Sequence, residues 1–545
     1  MILGIIGIIL SLALLITLAY RGVPVIIAAP LCAAVALLLS GAPILASYTE
    51  IFMPAMAGYV GSYFPVFLLG ATFGVLMTVT GFAESIARTV SAAIGVRGAM
   101  VATVITSALM TYGGISLFVV AFVMFPLARE LFRVADIPKR LIPATIALGI
   151  FTFTMTALPG TPQIQNIIPG QFFGTSTYAA PGIGLLGTVM IFGLGMFWLE
   201  YRRKSLIAAG EHFESEGRSG RGTLGSRPGS GPVARVGILQ RALGRGGSAA
   251  DGSAAGSSAA DSSAADGGVS AEASLRTRGT TTAVDEHSTT SDSGATDEAG
   301  SAAAVTEHAT FTPANRWVPF LPLLVVFVVN FGLTLVVFPA MNWDYLSEEK
   351  YGGIDLATRS GIWAVIVALL AAVVAVVLLH LRRFGELRSS FVEGVKGSML
   401  PIFSTASEVG YGAVIASVAA FALLRDAVFD MGGNALVTSV VSTSITAAIT
   451  GSSSGGMTIA LNAFGQELSA MAVDQGISLE AMHRLTAMAA GGLDTLPHSG
   501  AVVTLLLVCG MTHRQSYKDL AFVTIIVPVI TVAILVALVS AVGSF

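Results

Sequence analysis

The segment LDTLPHSGAVV, residues 493–503, places ionisable and hydroxyl side chains between two apolar stretches. Ionisable groups inside an apolar span are costly to bury and usually serve function. Asp494 and His498 are therefore candidate proton-coupling residues, and Thr495 and Ser499 are candidate substrate-binding residues. The alternative interpretation is an Asp–His hydrogen bond that only pins a broken helix.

Glu408, in STASEVGYG, is a third ionisable residue inside an apolar stretch. The same argument makes it a candidate proton-coupling residue. The alternative is a neutral acid that forms a hydrogen bond with a neighbour. Glu84 lies four residues before Arg88, a spacing that predicts a structural ion pair on one helix face.

A serine-rich segment, GSSSGG at 451–456, also interrupts an apolar stretch. Hydroxyl groups and freed backbone amides at such a break can bind a carboxylate or the hydroxyls of a sugar-like molecule. The alternative is a Ser/Gly-rich tight turn or a helix-packing patch. The candidate substrate-binding residues of this segment are Thr450, Ser452, Ser453 and Ser454.

Two prolines in ALPGTPQIQN, residues 157–166, exclude a continuous helix at a second position. The hydroxyl and amide side chains of this segment suit the recognition of a polyol. We favour Thr161 and Asn166 as binding residues, since Gln163 and Gln165 cannot both face one site if the helix resumes. The alternative is a proline-kinked helix whose amides bond to neighbouring helices.

A fourth break, TYGG at 111–114, precedes the proline-containing segment. Thr111, Gly113 and Gly114 are its candidate substrate-binding residues, as the counterpart of the serine-rich segment.

The composition places these motifs in a membrane protein. Of the 545 residues, 54% are hydrophobic and 11% are charged, whereas soluble domains carry about 25% charged residues. The mean hydropathy is +0.80, so a bilayer is the expected surrounding, and no nucleic-acid partner is implied.

Cys32 and Cys509 lie in apolar runs and suggest neither a disulfide framework nor a metal site, and we expect no cofactor.

Hydropathy predicts an all-α polytopic protein with ten crossings. Two further apolar segments, 99–128 and 434–470, are interrupted by glycines and are predicted to be re-entrant hairpins. With these hairpins, the placement of Lys and Arg puts nearly all basic loops in the cytoplasm and both termini outside. The predicted crossings are 2–19, 23–41, 62–84, 141–172, 181–199, 316–338, 361–380, 398–424, 485–510 and 519–543.

Corresponding features recur in the two halves at separations of 336 to 338 positions. The pairs are Pro65 and Pro401, Gly113 and Gly451, and Pro159 and Pro497. Each half would contain five crossings and one hairpin, and an odd number of crossings inverts the second copy. Inverted repeats with broken helices at the midplane are typical of secondary transporters. Non-helical backbone at membrane depth is tolerated where it is buried or lines a wet cavity, so we expect the four breaks to form one site.

The predicted domains are a first membrane repeat at 1–200, an insert at 201–315 and a second repeat at 316–545. The insert contains GSAADGSAAGSSAADSSAADGG. Its small polar residues cannot bury enough apolar surface to order it, which predicts a disordered cytoplasmic spacer. A regulatory or docking role is the alternative.

The chain resembles the gluconate permease (GntP) family of proton symporters, within the ion-transporter superfamily. The resemblance is carried by ALPGTPQIQNIIPG (157–170), GSSSGGMTIAL (451–461) and LDTLPHSGAVVTLLLVCGMTH (493–513). It covers both membrane halves but not the insert. It implies proton-coupled uptake of gluconate or a related small anionic hydroxy acid across a bacterial inner membrane.

The wider superfamily adds two expectations. Its hairpin tips and broken helices form a transport domain that moves like an elevator against a dimeric scaffold, which here implies a homodimer with 64–180 and 398–510 as the moving part. Its sodium-coupled carboxylate carriers have Ser-Asn-Thr at both hairpin tips. TYGG and GSSSGG depart from that pattern, which favours protons over sodium as the coupling ion.

Two other functions compete with this reading. A sodium-coupled carboxylate carrier would use the same fold. An intramembrane serine hydrolase would use GSSSG as a nucleophile elbow, with Ser453 as nucleophile and His498 as base. The elbow requires a strand before the serine, where the sequence predicts a helix, and a hydrolase gives no reason for the matching break at TYGG.

Overall fold

The computed structural model describes residues 2–21, 23–213, 315–423, 434–497 and 499–543. These ranges are mostly helical, and no β-strand occurs in them. The protein is an all-α polytopic membrane protein, as the sequence predicts. Within the described ranges, six helical stretches are long and apolar enough to cross a membrane: Ile44–Val79, Pro181–Ala208, Val318–Ala340, Leu356–Leu379, Leu387–Ser417 and His513–Val542.

The first half runs from two apolar helices through a long helix and a helical hairpin to a broken helix and a final long helix. Its principal helices are α1 (Ile2–Tyr20), α2 (Val25–Ser40), α3 (Met53–Val79), α4 (Phe82–Ile94), α5 (Ala99–Tyr112), α6 (Leu117–Val134), α7 (Ile142–Ile150), α8 (Ile168–Phe173) and α9 (Pro181–Ala208).

The second half repeats most of this order. Its principal helices are α10 (Leu321–Gly332), α11 (Leu356–Leu379), α12 (Phe384–Ser417), α13 (Ala435–Thr450), α14 (Ser453–Asp474), α15 (Leu479–Leu493), α16 (Gly500–Val508), α17 (His513–Ala521) and α18 (Val527–Val542). A π-helical turn at Phe522–Ile526 joins α17 to α18 without ending the helix.

The helix boundaries reproduce the predicted repeat. Helices α5 and α13 begin 336 positions apart, and so do α6 and α14, while α7 and α15 begin 337 apart. The predicted hairpins at 99–128 and 434–470 correspond to α5–α6 and α13–α14. The predicted crossings at 141–172 and 485–510 are both interrupted, between α7 and α8 and between α15 and α16.

The two halves pack against each other through pairs of equivalent helix contacts. Helix α2 packs against α12 of the other half, and α11 packs against α3 in the reciprocal contact. Helix α8 packs against α14, as α16 packs against α6. The long helices α3 and α12 also pack against each other. This reciprocity is the pattern that two copies related by an approximate two-fold axis produce.

Two long helices differ from the predicted spans. The helical stretch that ends with α3 begins at Ile44 and finishes at Val79, whereas the prediction was 62–84. Pro65 lies inside α3 without ending it, and Gly81 then turns the chain with a φ of 70°. Helix α12 begins at Phe384 and not at 398, because its first turns are polar and hydropathy does not detect them.

Helix α4 links the long helix α3 to the first hairpin. It is amphipathic, and the chain bends by 112° between it and the helix that ends at Tyr112. Its polar face carries the Glu84–Arg88 ion pair, which confirms the predicted structural pair. An amphipathic helix at this angle to the hairpin suits a position along the membrane interface.

At one end of the helix bundle, a buried acid contacts basic residues from distant segments of the chain. The side chain of Asp519 is fully buried, with Arg202 Nε 2.6 Å and Arg140 Nε 4.0 Å from its carboxylate oxygens. The segments that contain these arginines are predicted to lie on one side of the membrane, and the structure brings them together. At a neighbouring turn, a hydrogen bond with His212 holds the pKa of Asp136 below its usual range.

Helix α9 extends past the predicted end of the first repeat. The prediction placed the boundary at 200, but the helix continues through YRRKSLIA to Ala208. Glu200 pairs with Arg203 within the helix, and Arg202 is held by Asp519. The predicted insert therefore begins in a helix, and its residues 214–314 lie outside the described ranges.

We predict that Asp519→Ala lowers the stability of the purified protein strongly. Removing one partner of a buried ion pair leaves an uncompensated charge and costs about 3 kcal/mol or more. Thermal unfolding in detergent should show a clear fall in the midpoint. Glu130→Ala is the control, because it removes an exposed partner of Arg133 and should leave the midpoint unchanged. Equal midpoints for the two variants would contradict the structural role of Asp519.

Candidate substrate-binding site

The turn between α13 and α14 presents a helix N-terminus inside the protein. Gly451 ends α13 with a φ of 64°. Ser452 then caps α14, since its hydroxyl oxygen accepts a hydrogen bond from Gly455 N at 3.2 Å. Thr450 does not face outward from this turn, because its hydroxyl donates to Thr446 O at 2.9 Å and to Ser452 O at 3.1 Å. A buried N-terminus of this kind attracts negative charge.

Two buried carboxylates converge on the serines of this turn. Glu408 on α12 is 5% exposed, and Asp494 after α15 is 7% exposed. The Glu408 carboxylate lies near Ser452, and the Asp494 carboxylate lies near Ser453. A methyl group built on Gly455 would overlap Glu408 Oε2, so a larger residue there would displace the Glu408 carboxylate.

Two further side chains complete the cluster from the first half. Gln165 Nε2 donates to Ser453 Oγ at 3.0 Å. The phenol of Tyr59 on α3 lies near Ser454. We call this cluster the serine site, and it consists of Tyr59, Gln165, Glu408, Ser452, Ser453, Ser454 and Asp494.

Several polar atoms of the serine site have no hydrogen-bond partner among the described residues. They are Tyr59 OH, Gln165 Oε1, Glu408 Oε2 and Asp494 Oδ1. Buried polar atoms are nearly always paired in folded proteins. Four such atoms around one helix N-terminus make this cluster a candidate site for a ligand or a proton. Within the described ranges, neither acid forms an ion pair with a basic residue.

The first-half hairpin tip forms its own contacts with the proline-containing segment. Tyr112 OH donates to Pro159 O at 2.9 Å, and Gln163 Nε2 donates to Thr111 O at 2.7 Å. Thr111 and Thr161 are both fully buried, and neither hydroxyl oxygen has a partner among the described residues.

The glycines of this tip allow close approach to other helices. Gly114 adopts a φ of 90°, and a side chain there would meet Leu369 on α11. A side chain on Gly113 would meet Leu323 on α10. The two glycines thus fit the tip against the second half, a packing role that needs no contact with substrate.

The two glutamines of QIQN connect the two hairpin tips. The chain forms a short 3₁₀ turn at Ile164–Asn166, and Gln163 and Gln165 leave it toward different tips. The prediction that they cannot share one site is consistent with this geometry. Gln165 reaches the serine site, although the sequence analysis preferred Thr161 and Asn166.

Asn166 belongs to a structural network that the sequence analysis missed. Its amide donates to Thr161 O and Thr177 O, and its carbonyl oxygen accepts from Arg484 at 2.6 Å. These bonds leave little capacity to bind a substrate. Asn166 is therefore better explained as part of the protein framework than as a substrate-binding residue.

Arg484 on α15 is fully buried, and its predicted span began one residue later. Its guanidinium donates to the Asn166 side chain and to the backbone carbonyls of Thr156, Thr177 and Ala179. Its five N–H groups thus have acceptors, all in the broken segment between α7 and α9. No local signal singled it out, because an arginine that flanks an apolar span is common.

The remaining predicted residues lie around the second broken helix. Thr495 donates to Thr524 Oγ1 at 2.8 Å, and its carbonyl accepts from Tyr517 at 3.1 Å, so it ties the break to the last helix. Ser499 is 2% exposed and precedes α16 without a side-chain cap. His498 lies outside the described residues.

We predict that Arg484→Lys destabilises the protein although it keeps the charge. Lysine has three donors on one point and cannot reach the spread carbonyls that the planar guanidinium binds. The lost bonds should cost about 3 kcal/mol, visible as a lower unfolding midpoint in detergent. Arg88→Lys, in an exposed pair on α4, is the matched control and should unfold like the wild type. An Arg484→Lys midpoint equal to that of the control would refute the role of this network.

Comparison with known proteins gives one informative relative. No family model matches the chain. The protein named uncharacterized transporter YxjC, from Bacillus subtilis (strain 168), is 38% identical over 525 residues, which cover 95% of each chain. The similarity therefore extends over both membrane halves and supports a transporter in preference to an enzyme. The chain belongs to the transporter family that includes YxjC.

Proposed function

We propose that the protein is a secondary active transporter that couples the uptake of a small hydroxycarboxylate, such as gluconate, to protons. The observation that carries the proposal is the serine site, where two buried acids face three consecutive serines at a helix N-terminus. The resemblance to the gluconate permease family supports the same substrate class. The transporter relative supports the general activity.

Electrostatic repulsion would couple protons to the anion. Glu408 and Asp494 are buried and have no basic partner among the described residues. Two ionised carboxylates would repel a substrate carboxylate strongly in so apolar a surrounding. Once protonated, each acid becomes a hydrogen-bond donor. Proton binding would therefore precede anion binding, and the empty carrier would release its protons on the other side.

The same site offers groups for both ends of a hydroxy acid. The α14 N-terminus and the serine hydroxyls suit a carboxylate. The free acceptor of Gln165 and the phenol of Tyr59 suit the hydroxyl groups of the substrate. Because hydrogen bonds and a helix dipole replace a cation, the anion would be held without a permanent ion pair.

Elevator transport is part of this proposal. The expected moving part, 64–180 and 398–510, would begin inside α3 and α12, which are continuous helices. We place its limits at the turns after those helices, near Gly81 and Val418. Glu408 and Tyr59 would then belong to the static part and the serines to the moving part. The homodimeric scaffold remains an expectation from the superfamily.

The proposed location is a bacterial inner membrane. The placement of basic residues favours both termini outside and the insert, 201–315, in the cytoplasm. The cluster of Arg140, Arg202 and Asp519 would then lie at the cytoplasmic end.

The hydrolase alternative fits the site less well. Ser453 is the first residue of α14 and follows the helix α13, whereas a nucleophile elbow follows a strand. Gln165 donates to the Ser453 hydroxyl, a contact with no role in activating a nucleophile. The sodium-coupled alternative shares the fold, and ion dependence separates it from the proton symporter.

We predict that the purified protein in proteoliposomes accumulates labelled gluconate under an inward proton gradient without sodium. Excess 3-hydroxybutyrate, glycerate, lactate and succinate would rank the substrates by competition. A protonophore should abolish accumulation. Accumulation that requires sodium and survives the protonophore would replace the proton symporter by the sodium-coupled carrier.

We predict that Glu408→Gln and Asp494→Asn lose proton-driven accumulation but keep gluconate exchange between the two sides. The amides imitate the protonated acids, so the anion can still bind while no proton is carried. Accumulation should fall at least tenfold, whereas counterflow should remain within a few-fold of the wild type.

Matched controls are available on α12 and α14. Glu393→Gln removes an acid on α12 that pairs with Lys396 at an exposed position, and Asp474→Asn removes an exposed acid at the end of α14. Both should transport like the wild type. Full proton-driven accumulation by the double variant Glu408→Gln/Asp494→Asn would overturn the assignment of these acids as proton carriers.

A further inference from the structure

A cavity with one basic residue in its lining lies along α3, the helix that contributes Tyr59 to the serine site. It has a volume of about 420 Å³ and lies between α3 and α11. Its lining includes Ser62 on α3, Tyr351 in the preceding loop, and Arg359 and Trp363 on α11. We call it the Arg359 cavity. It shares no residue with the serine site.

Arg359 is the basic residue of this cavity and is not used elsewhere in the described chain. Within the described ranges it forms no ion pair, although the neighbouring loop contains several acids. Asp355 instead caps α11 through Ala357 N, and Glu348 pairs with Lys350. A guanidinium beside polar and aromatic groups is well suited to bind an oxyanion.

Two packed tyrosines lie between this cavity and the serine site. Arg359 lies near Tyr63, whose ring centroid lies 4.6 Å from that of Tyr59, with the two rings tilted by 46°. Tyr59 in turn lies near Ser454. Residues 59, 62 and 63 lie on one face of α3, so a single helix face contributes to both the cavity and the site.

We propose that the Arg359 cavity is a second oxyanion-binding site, next to the site of transport. Its ligand is the carboxylate of the transported anion or the phosphate of an anionic lipid, which share the chemistry that a guanidinium recognises. The first identity rests on the proposed function, and the existence of the site does not. Unlike the serine site, it binds through a permanent positive charge and needs no prior protonation.

The local potential in the cavity can be measured with a thiol reporter. Cys32 and Cys509, both buried, are replaced by alanine, and Ser62→Cys introduces a thiol. The purified protein is labelled with an anionic and a cationic methanethiosulfonate. We expect Arg359→Gln to lower the ratio of anionic to cationic labelling rates about fourfold, from the Coulomb energy of one charge at roughly 10 Å in water, and Arg359→Lys to preserve it.

This measurement has a control variant and an alternative reporter position. Thr49→Cys, at an exposed position before α3, gives the intrinsic ratio of the two reagents and should not respond to Arg359. If Ser62→Cys fails to fold, Gly61→Cys replaces it, because added atoms there meet nothing within 4 Å. An unchanged ratio in Arg359→Gln would overturn the proposal.

Protection experiments identify the ligand. Sodium gluconate in detergent should slow labelling of the Arg359 protein and not of Arg359→Gln if the substrate binds. Protection by nanodiscs of phosphatidylglycerol, relative to phosphatidylcholine, would assign the site to lipid. Protection by neither would overturn the proposal. These readouts do not require transport, so failed gluconate uptake with an Arg359-dependent ratio would refute the proposed function alone.

Discussion

Arg484 holds together the part of the structure on which the proposed site depends. The prolines of the first half free a series of backbone carbonyls between α7 and α9, and unpaired carbonyls are costly in a membrane. The Arg484 guanidinium, on the opposite repeat, binds three of these carbonyls and Asn166. Asn330, also from the second half, donates to Gly160 O, and Tyr112 binds Pro159 O.

This arrangement explains how Gln165 comes to lie beside Ser453. A segment without regular α-helical hydrogen bonds does not fix its own conformation. Side chains from the other repeat fix it through hydrogen bonds to its carbonyls. Arg484 binds the backbone carbonyls of Thr156 and Thr177 and the side-chain carbonyl of Asn166. These hydrogen bonds position the 3₁₀ turn that contains Gln165. Arg484 thus stabilises the protein framework, and its hydrogen bonds go to this segment and not to the serines.

The sequence predicted the class of fold and much of the repeat, because apolar length and broken helices are local properties. It also selected the serines, Glu408 and Asp494 as candidates, because their types are unusual inside apolar stretches. It did not predict the partners. Tyr59 has an ordinary sequence context, and the choice of Gln165 over Asn166 depends on Arg484, 318 positions away. Thr450 and Thr495 were selected by motif, but local geometry uses their hydroxyls in the framework.

The repeat is symmetric in its backbone and asymmetric in its chemistry. At the separations of 336 and 337 positions, Thr72 corresponds to Glu408 and Ala157 to Asp494. One copy therefore supplies both acids, while the other supplies a glutamine and a tyrosine. Such a division suits a carrier that must release its cargo. A permanent cation deep in the site would hold an anion on both sides of the membrane, whereas acids that gain and lose protons change its affinity between the two. The fixed charge of Arg359 lies instead in a separate cavity, where it can attract an anion without opposing its release from the serines.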